Sequence, residues 1–266
     1  MTSPHSVEVH LRSGEEGCSW ARERRAVAVV VDALRASATI TCLLQQGADE
    51  VLVVKEVAEA YAYRAEYPNT LLVGERGGLK VEGFDFGNSP TEIQRADVRG
   101  KRVAFTSTTG AQRLVDCLGA SAVTVGTTIN ASAVARQVIA MAQAESVPIV
   151  IIPAGLATDP SVIADEDWLG ATVLAAHLGL PIHQASAQSF QRYQQLIQSA
   201  GLLQGFVQSA HGQKLVGLGF ADDIHLCAQV DLVSDIVPTL TAVVPLAHGG
   251  QGVRLQRGSL EHATSL

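Results

Sequence analysis

Five stretches of the chain carry carboxylates, arginines or hydroxyls in patterns that suit the chemistry of anions. In VDALRASAT, residues 31–39, Asp32 is followed by Arg35, Ser37 and Thr39. Arginine offers a planar fork of donors to phosphate or sulfonate oxygens, and a helix start adds unpaired N–H groups and a positive dipole end. An aspartate beside them repels a free anion unless it holds a metal ion or handles a proton; paired with Arg35, it would simply close the turn. GERGGLKVEGFDFGNSP, residues 74–90, carries Glu75, Arg76, Gly77, Gly78, Asp85, Asn88 and Ser89 in a glycine-rich run. A loop this long in a compact domain is usually functional or disordered. Ser107, Thr108 and Thr109 in FTSTTGAQ form a hydroxyl-rich turn, and VGTTINAS at 125–132 forms another; each suits either an anion cradle or plain helix capping. Asp165, Glu166 and Asp167 in ADEDW either complement a helix dipole or join Asp32, Glu75 or Asp85 as oxygen ligands for Mg²⁺.

The elements that must position these residues can be read from hydrophobic pattern. Runs rich in valine and isoleucine at 26–32, 50–54, 70–74, 102–106, 122–126 and 148–154 are apolar without strict alternation, as strands buried on both faces are. Helical patterns lie between them. One starts near Ser37 and stops at Gly47, SPTE at 89–92 fits a capping box with proline at the first helical position, and Asn130 stands where it would cap an alanine-rich helix. The alternation predicts an α/β fold, its sheet largely parallel or mixed and covered by helices. In such sheets ligands sit beyond the carboxyl ends of the strands, which is where all five stretches fall.

After residue 160 the pattern is mainly helical. It closes with a strand-like run, DIVPTLTAVVPLA, and a polar tail over 248–266 that is expected to be loosely ordered. No linker composition divides the chain, so a single domain over 1–266 is expected.

With 47% hydrophobic and 17% charged residues in 266, the chain can bury a large core. A net charge of −7 argues against nucleic acid or an anionic membrane as partner, so any bound anion must be held by local groups. Cys18, Cys42, Cys117 and Cys227 are too scattered for a zinc knuckle or a disulfide framework. The start of the chain lacks a signal-peptide core and no apolar run is long enough to cross a bilayer, making the cytoplasm the expected location. A homo-oligomer stays open, since apolar helices such as 130–144 would serve a core or an interface equally well. No phosphate-binding G-x-x-x-x-G-K loop, dinucleotide G-x-G-x-x-G, H-E-x-x-H or G-x-S-x-G occurs.

VDALRASATI (31–40), GERGG and GFDFGNSP (74–90), STT (107–109), EDWLGA (166–171) and DDIHLCAQVDLVSDIVP (222–238) resemble, in order, the blocks of the 2-phosphosulfolactate phosphatase family. The resemblance implies a three-layer α/β fold and Mg²⁺-dependent hydrolysis of (R)-2-phospho-3-sulfolactate to sulfolactate and phosphate, a step toward coenzyme M. The chain departs from the family at Thr108-Thr109-Gly110-Ala111, where Thr-Asn-Gly-Thr is expected. On this reading Asp32, Arg35, Glu75 and Arg76 are the catalytic candidates. Ser37, Thr39, Gly77, Gly78, Asn88, Ser89, Ser107, Thr108 and Thr109, with the two arginines, contact substrate. Asp32, Glu75, Asp85, Glu166 and Asp167 are the candidate metal ligands. The alternatives are a small-anion-binding protein without turnover, suggested by the altered turn, and a different metal-dependent hydrolase or lyase of phosphorylated acids.

Overall fold

The six valine- and isoleucine-rich runs form strands in the computed structural model, which describes residues 7–157, 159, 161–246 and 249–258. They are β2 (Val27–Val31), β3 (Glu50–Val53), β4 (Leu71–Arg76), β6 (Arg102–Thr106), β7 (Ala122–Val125) and β8 (Ile149–Pro153). With β1 (Val9–Leu11), β5 (Leu79–Lys80), β9 (Pro238–Pro245) and β10 (Gln251–Arg257) they make one mixed sheet, ordered β1-β8-β2-β7-β9-β10-β3-β6-β4-β5.

Two parallel groups flank a central antiparallel hairpin. In one, β2 lies between β8 and β7; in the other, β6 lies between β3 and β4. Strand β9 runs antiparallel to β7 and to β10, and β10 runs antiparallel to β3, so the two groups point in opposite senses along the ladder. In a flat sheet their carboxyl ends would lie at opposite edges. Five strand-to-strand steps separate β2 from β6, and a twist of about 20–25° per step turns the strand direction through roughly 100–125°. The carboxyl ends of the two groups are thereby brought together: the turn after β6 donates to Glu75 of β4, and Gly110 sits against Asp32.

Helices cover both faces. Among them α6 (Ala131–Glu145) and α7 (Asp165–Leu178) press on one face of β2, where Val29 and Val31 meet Val134, Leu174 and the bare backbone of Gly126 and Gly170. Helix α5 (Gly110–Asp116) contacts β2, β3 and β10, bridging the two strand groups. Helix α3 (Val57–Glu66) closes a smaller apolar cluster on Leu52, Leu72 and Ala104. No helix among the described residues is long and apolar enough to cross a membrane.

Several local expectations shift by a residue or a partner. Helix α2 (Ala36–Gln45) begins one residue before Ser37, whose hydroxyl accepts the Asp32 N–H instead of capping. Ser89 does cap α4 (Pro90–Ile93), but Glu92 completes no reciprocal box because its carboxylate takes the Gly87 N–H. Asn130 spends its side chain on Thr127, within the short 3₁₀ turn before α6. Within the helical pattern after residue 160, FVQSAHGQKLVGLG is divided at Ser209, which ends α9 (Leu202–Gln208) and caps α10 (Ala210–Gly217).

The largest correction concerns the tail. Within the stretch expected to be loose, Gln251–Arg257 form β10, an inner strand of the sheet with Val253 and Leu255 fully buried. Its pattern, VRLQR, alternates apolar and polar residues, which is how a strand with one covered face reads. His248 and residues 259–266 lie outside the described residues. Leu255→Ala should therefore cost about 2–5 kcal/mol of stability in urea unfolding. Gln256→Ala, on the more open side of the same strand, should cost less than about 0.5 kcal/mol.

Candidate active site

A cleft of about 270 Å³ opens where the carboxyl ends of β2, β4, β6 and β8 meet the start of α7 and α10. Four acids line it: Asp32, Glu75, Glu166 and Asp167, none more than 9% exposed. Their hydrogen bonds divide them into two kinds. Asp167 accepts the N–H of Ala33 at 2.8 Å and that of Gly155 at 3.0 Å, clasping the ends of β2 and β8 together. Glu75 accepts the N–H of Thr108 and of Gly78, both at 2.7 Å, and the Thr108 hydroxyl, tying the turn after β6 to the turn after β4. Both are held by backbone.

Asp32 and Glu166 are less fully engaged. Asp32 accepts the Ala36 N–H at 3.2 Å and also faces the N–H of Gly110. Burial, reinforced by the charge of Glu75, raises its pKa to about 6. Burial raises Glu166 to about 7, with the charges of Asp32 and Asp165 adding to the effect. Asp167 is pushed well up by burial and by Asp32 and Glu166. The cleft is a place where negative charge is costly and a cation would be stabilised.

The positive groups are fewer. Arg35 is 2% exposed and bound to Asp223 of α11 (Ala221–Cys227) at 2.6 Å and to the Gly78 carbonyl at 2.8 Å, with its guanidinium over the Phe220 ring. Two of its five N–H groups are used this way, leaving donors on a group that also lines the cleft. Lys214 and His211, one helical turn apart on α10, line the cleft as well. Burial, with the nearby Lys214 adding to it, lowers the His211 pKa and so favours the neutral ring.

Of the residues expected from sequence, Asp32, Arg35, Glu75, Gly77, Gly78, Asn88, Thr108, Thr109, Glu166 and Asp167 line this cleft. The others are placed elsewhere or spent on structure. The long glycine-rich loop is in part a hairpin: Gly77 and Gly78, both with positive φ, turn β4 into β5. Arg76 leans back onto the Lys55 carbonyl and the Thr106 hydroxyl. Asp85 lies at the entry end of β4, bound to the Leu72 N–H and to Arg64, away from the carboxyl end where Glu75 stands. Thr39 bonds back to the Arg35 carbonyl within its helix, and Ser107 accepts the Ala111 N–H. Ser89 holds Asp223, which also takes both the N–H and the hydroxyl of Thr91.

His211, Lys214 and Asp223 escape a strand-end reading because they come from helices far along the chain. Their spacing carries a partial signal, since His211 and Lys214 stand at i and i+3 and share a helix face.

The raised carboxylates make stability depend on pH. A folded state that keeps a proton the unfolded chain has lost is favoured at low pH, and for Glu166 that advantage is lost as pH rises from about 4.5 to about 7. Without divalent cations, Glu166→Gln should melt above wild type at pH 8, and the difference should shrink toward pH 4, as thermal denaturation would show.

Comparison with known proteins places this geometry in a family. The 2-phosphosulpholactate phosphatase family pattern matches residues 16–242. A probable 2-phosphosulfolactate phosphatase of Deinococcus radiodurans is 39% identical over 219 residues, covering 80% of this chain and 87% of that protein. Proteins of the same name from Carboxydothermus hydrogenoformans and Gloeobacter violaceus are 36% and 35% identical, over 79% and 84% of this chain and 84% and 91% of their own lengths. The match runs from α1 (Gly14–Glu23) into β9 and takes in all the elements that build the cleft, so the chain belongs to the 2-phosphosulfolactate phosphatase family.

Proposed function

We propose that this chain is a phosphoric monoester hydrolase that cleaves 2-phospho-3-sulfolactate, or a similar small anionic phospho-hydroxy acid, to the hydroxy acid and phosphate, with Mg²⁺ as cofactor. The observation that carries the reading is the meeting of Asp32 and Glu166, both buried with raised pKa, with Arg35, Lys214 and His211 in one cleft of a chain from a phosphatase family. The name of the relatives, probable 2-phosphosulfolactate phosphatase, supports the substrate. A cytoplasmic site of action and a place on the route to coenzyme M accord with that substrate.

The donor set suits Mg²⁺, a hard ion that commonly takes one or two carboxylates and completes its shell with water and phosphate oxygens. Asp32 and Glu166 are the pair we assign to it, since Asp167 and Glu75 each accept two backbone N–H groups at 3.0 Å or less, whereas Asp32 accepts the Ala36 N–H at 3.2 Å. When bound, Mg²⁺ offsets the carboxylates and draws charge from the phosphoryl oxygens as it develops. Arg35, held rigid by Asp223, meets a phosphoryl or acid group with its remaining N–H donors. Lys214 adds a mobile positive charge at the rim. His211, its pKa lowered by burial and its ring near the Leu34 carbonyl, takes up the proton of the attacking water. The ester P–O bond breaks as the phosphoryl group passes to water, and the departing hydroxy-acid oxygen takes up a proton from solvent, without a covalent enzyme intermediate.

The altered residues of the 107–111 turn leave its anchoring in place. Despite its altered residues, Thr108 still donates through N–H and hydroxyl to Glu75, and the Ala111 N–H still reaches Ser107.

Phosphate release from 2-phosphosulfolactate, with Mg²⁺ and then with a chelator, tests the proposal. Release should need Mg²⁺. Asp32→Asn and Glu166→Gln should each lower kcat/KM by about 100-fold, and Lys214→Ala should mainly raise KM. If Asp32→Asn and Arg35→Ala both stayed within about twofold of wild type, the site would be wrongly placed. Gly110→Ala tests the packing beneath Asp32, because an added Cβ would lie 2.6 Å from its Oδ2; kcat should fall with the fold intact.

A further inference from the structure

A second cavity, of about 580 Å³, adjoins the first, and Arg35, Gly78 and Asn88 line both. Its other wall carries two cations, Lys80 of β5 and Arg95 just beyond α4. Neither forms an ion pair among the described residues. The one acid of the cavity wall, Glu92, gives a carboxylate oxygen to the Gly87 N–H. The local charge is therefore positive, against the −7 of the whole chain. The same cavity is lined by an unmet polar group: Asn88 is 5% exposed, and its carboxamide oxygen has no hydrogen-bond partner. A half-turn about the last side-chain bond exchanges that oxygen for the NH₂ group, which is a donor. A buried amide left without a partner is costly, and an incoming oxyanion would supply one.

We propose that this second cavity binds an oxyanion, a phosphate, sulfonate or carboxylate group, between Lys80, Arg95 and Asn88, separately from the site of hydrolysis. Arg35 couples the two sites. Its guanidinium is fixed by Asp223, which is fixed in turn by Ser89 and Thr91, so an anion on either side meets the same rigid group. The oxyanion has two chemical sources. It is either the second acidic group of a substrate whose phosphate lies in the first cleft, or a free small anion.

Sulfate, which the protein cannot hydrolyse, is the probe, followed by NMR on the full-length chain. Sulfate should shift the side-chain signals of Asn88 and Arg95 saturably. Lys80→Ala/Arg95→Ala should weaken that binding at least about tenfold, as loss of two solvent-screened charges a few ångströms from an anion implies. Lys214→Ala, on the far wall of the other cleft, should leave it within about twofold. Unshifted Asn88 and Arg95 signals would overturn the proposal. So would unchanged affinity in a double variant that melts like wild type, or loss of the binding in Lys214→Ala.

The two sources separate kinetically. If the substrate supplies the group, the double variant should raise KM for 2-phosphosulfolactate about tenfold and leave p-nitrophenyl phosphate, which has no second acid, unchanged. If a free anion supplies it, both KM values should hold, and added sulfate should alter the wild-type rate but not that of the double variant. Absence of any hydrolysis would count against the proposed function, whereas the sulfate shifts test the second cavity alone.

Discussion

Taking carboxylates out of water is expensive, and this protein does so four times around one small cleft. The cost is met in different ways. Asp167 and Glu75 accept backbone N–H groups from turns after different strands, so the price of burying them is offset by fixing those turns relative to one another. Asp32 and Glu166 make fewer close hydrogen bonds, and burial raises their pKa values as it does that of Asp167. Arg35 and Asp223 form a buried pair whose disruption from one side leaves an uncompensated charge, typically costing about 3–5 kcal/mol. The first two acids set the geometry, the pair orients the arginine, and the remaining acids keep unsatisfied affinity for a cation.

That arrangement depends on the twist of the sheet. Asp32 follows β2 and Glu75 ends β4, in strand groups that run oppositely along the ladder. They share a cleft because the β9–β10 hairpin joins the groups and the accumulated twist carries one set of carboxyl ends around to the other. A strand close to the end of the chain thus helps bring together residues more than 150 positions earlier. The register shift between Arg254 and Leu255 lies within that hairpin, where a bulge increases local twist.

Much of this was legible in the sequence. The strand-end rule located Asp32, Arg35, Glu75, Thr108, Glu166 and Asp167, since each follows or ends an apolar run, or starts the helix that packs on one. What residue type could not tell was each group's orientation. Arg76 carries the same guanidinium as Arg35, yet it turns back onto the Lys55 carbonyl, and Asp85 sits at the wrong end of its neighbouring strand. Polarity misled in the tail, where charged residues on the half-open side of β10 hid the buried Val253 and Leu255. His211, Lys214 and Asp223 are brought in by helix packing, which no local pattern encodes. Lys80 and Arg95 carried no expected role.

The proposed reading ties Mg²⁺ to two acids that are partly protonated near neutrality, so metal binding should expel protons. Calorimetric titration of Mg²⁺ into the protein at pH 6.5, in buffers of different ionisation enthalpy, measures this directly. Binding should release protons at pH 6.5 and almost none at pH 9, and Glu166→Gln should reduce the release. Mg²⁺ binding with no proton release at pH 6.5, or with release unchanged in Glu166→Gln, would contradict the assignment of the metal to Asp32 and Glu166.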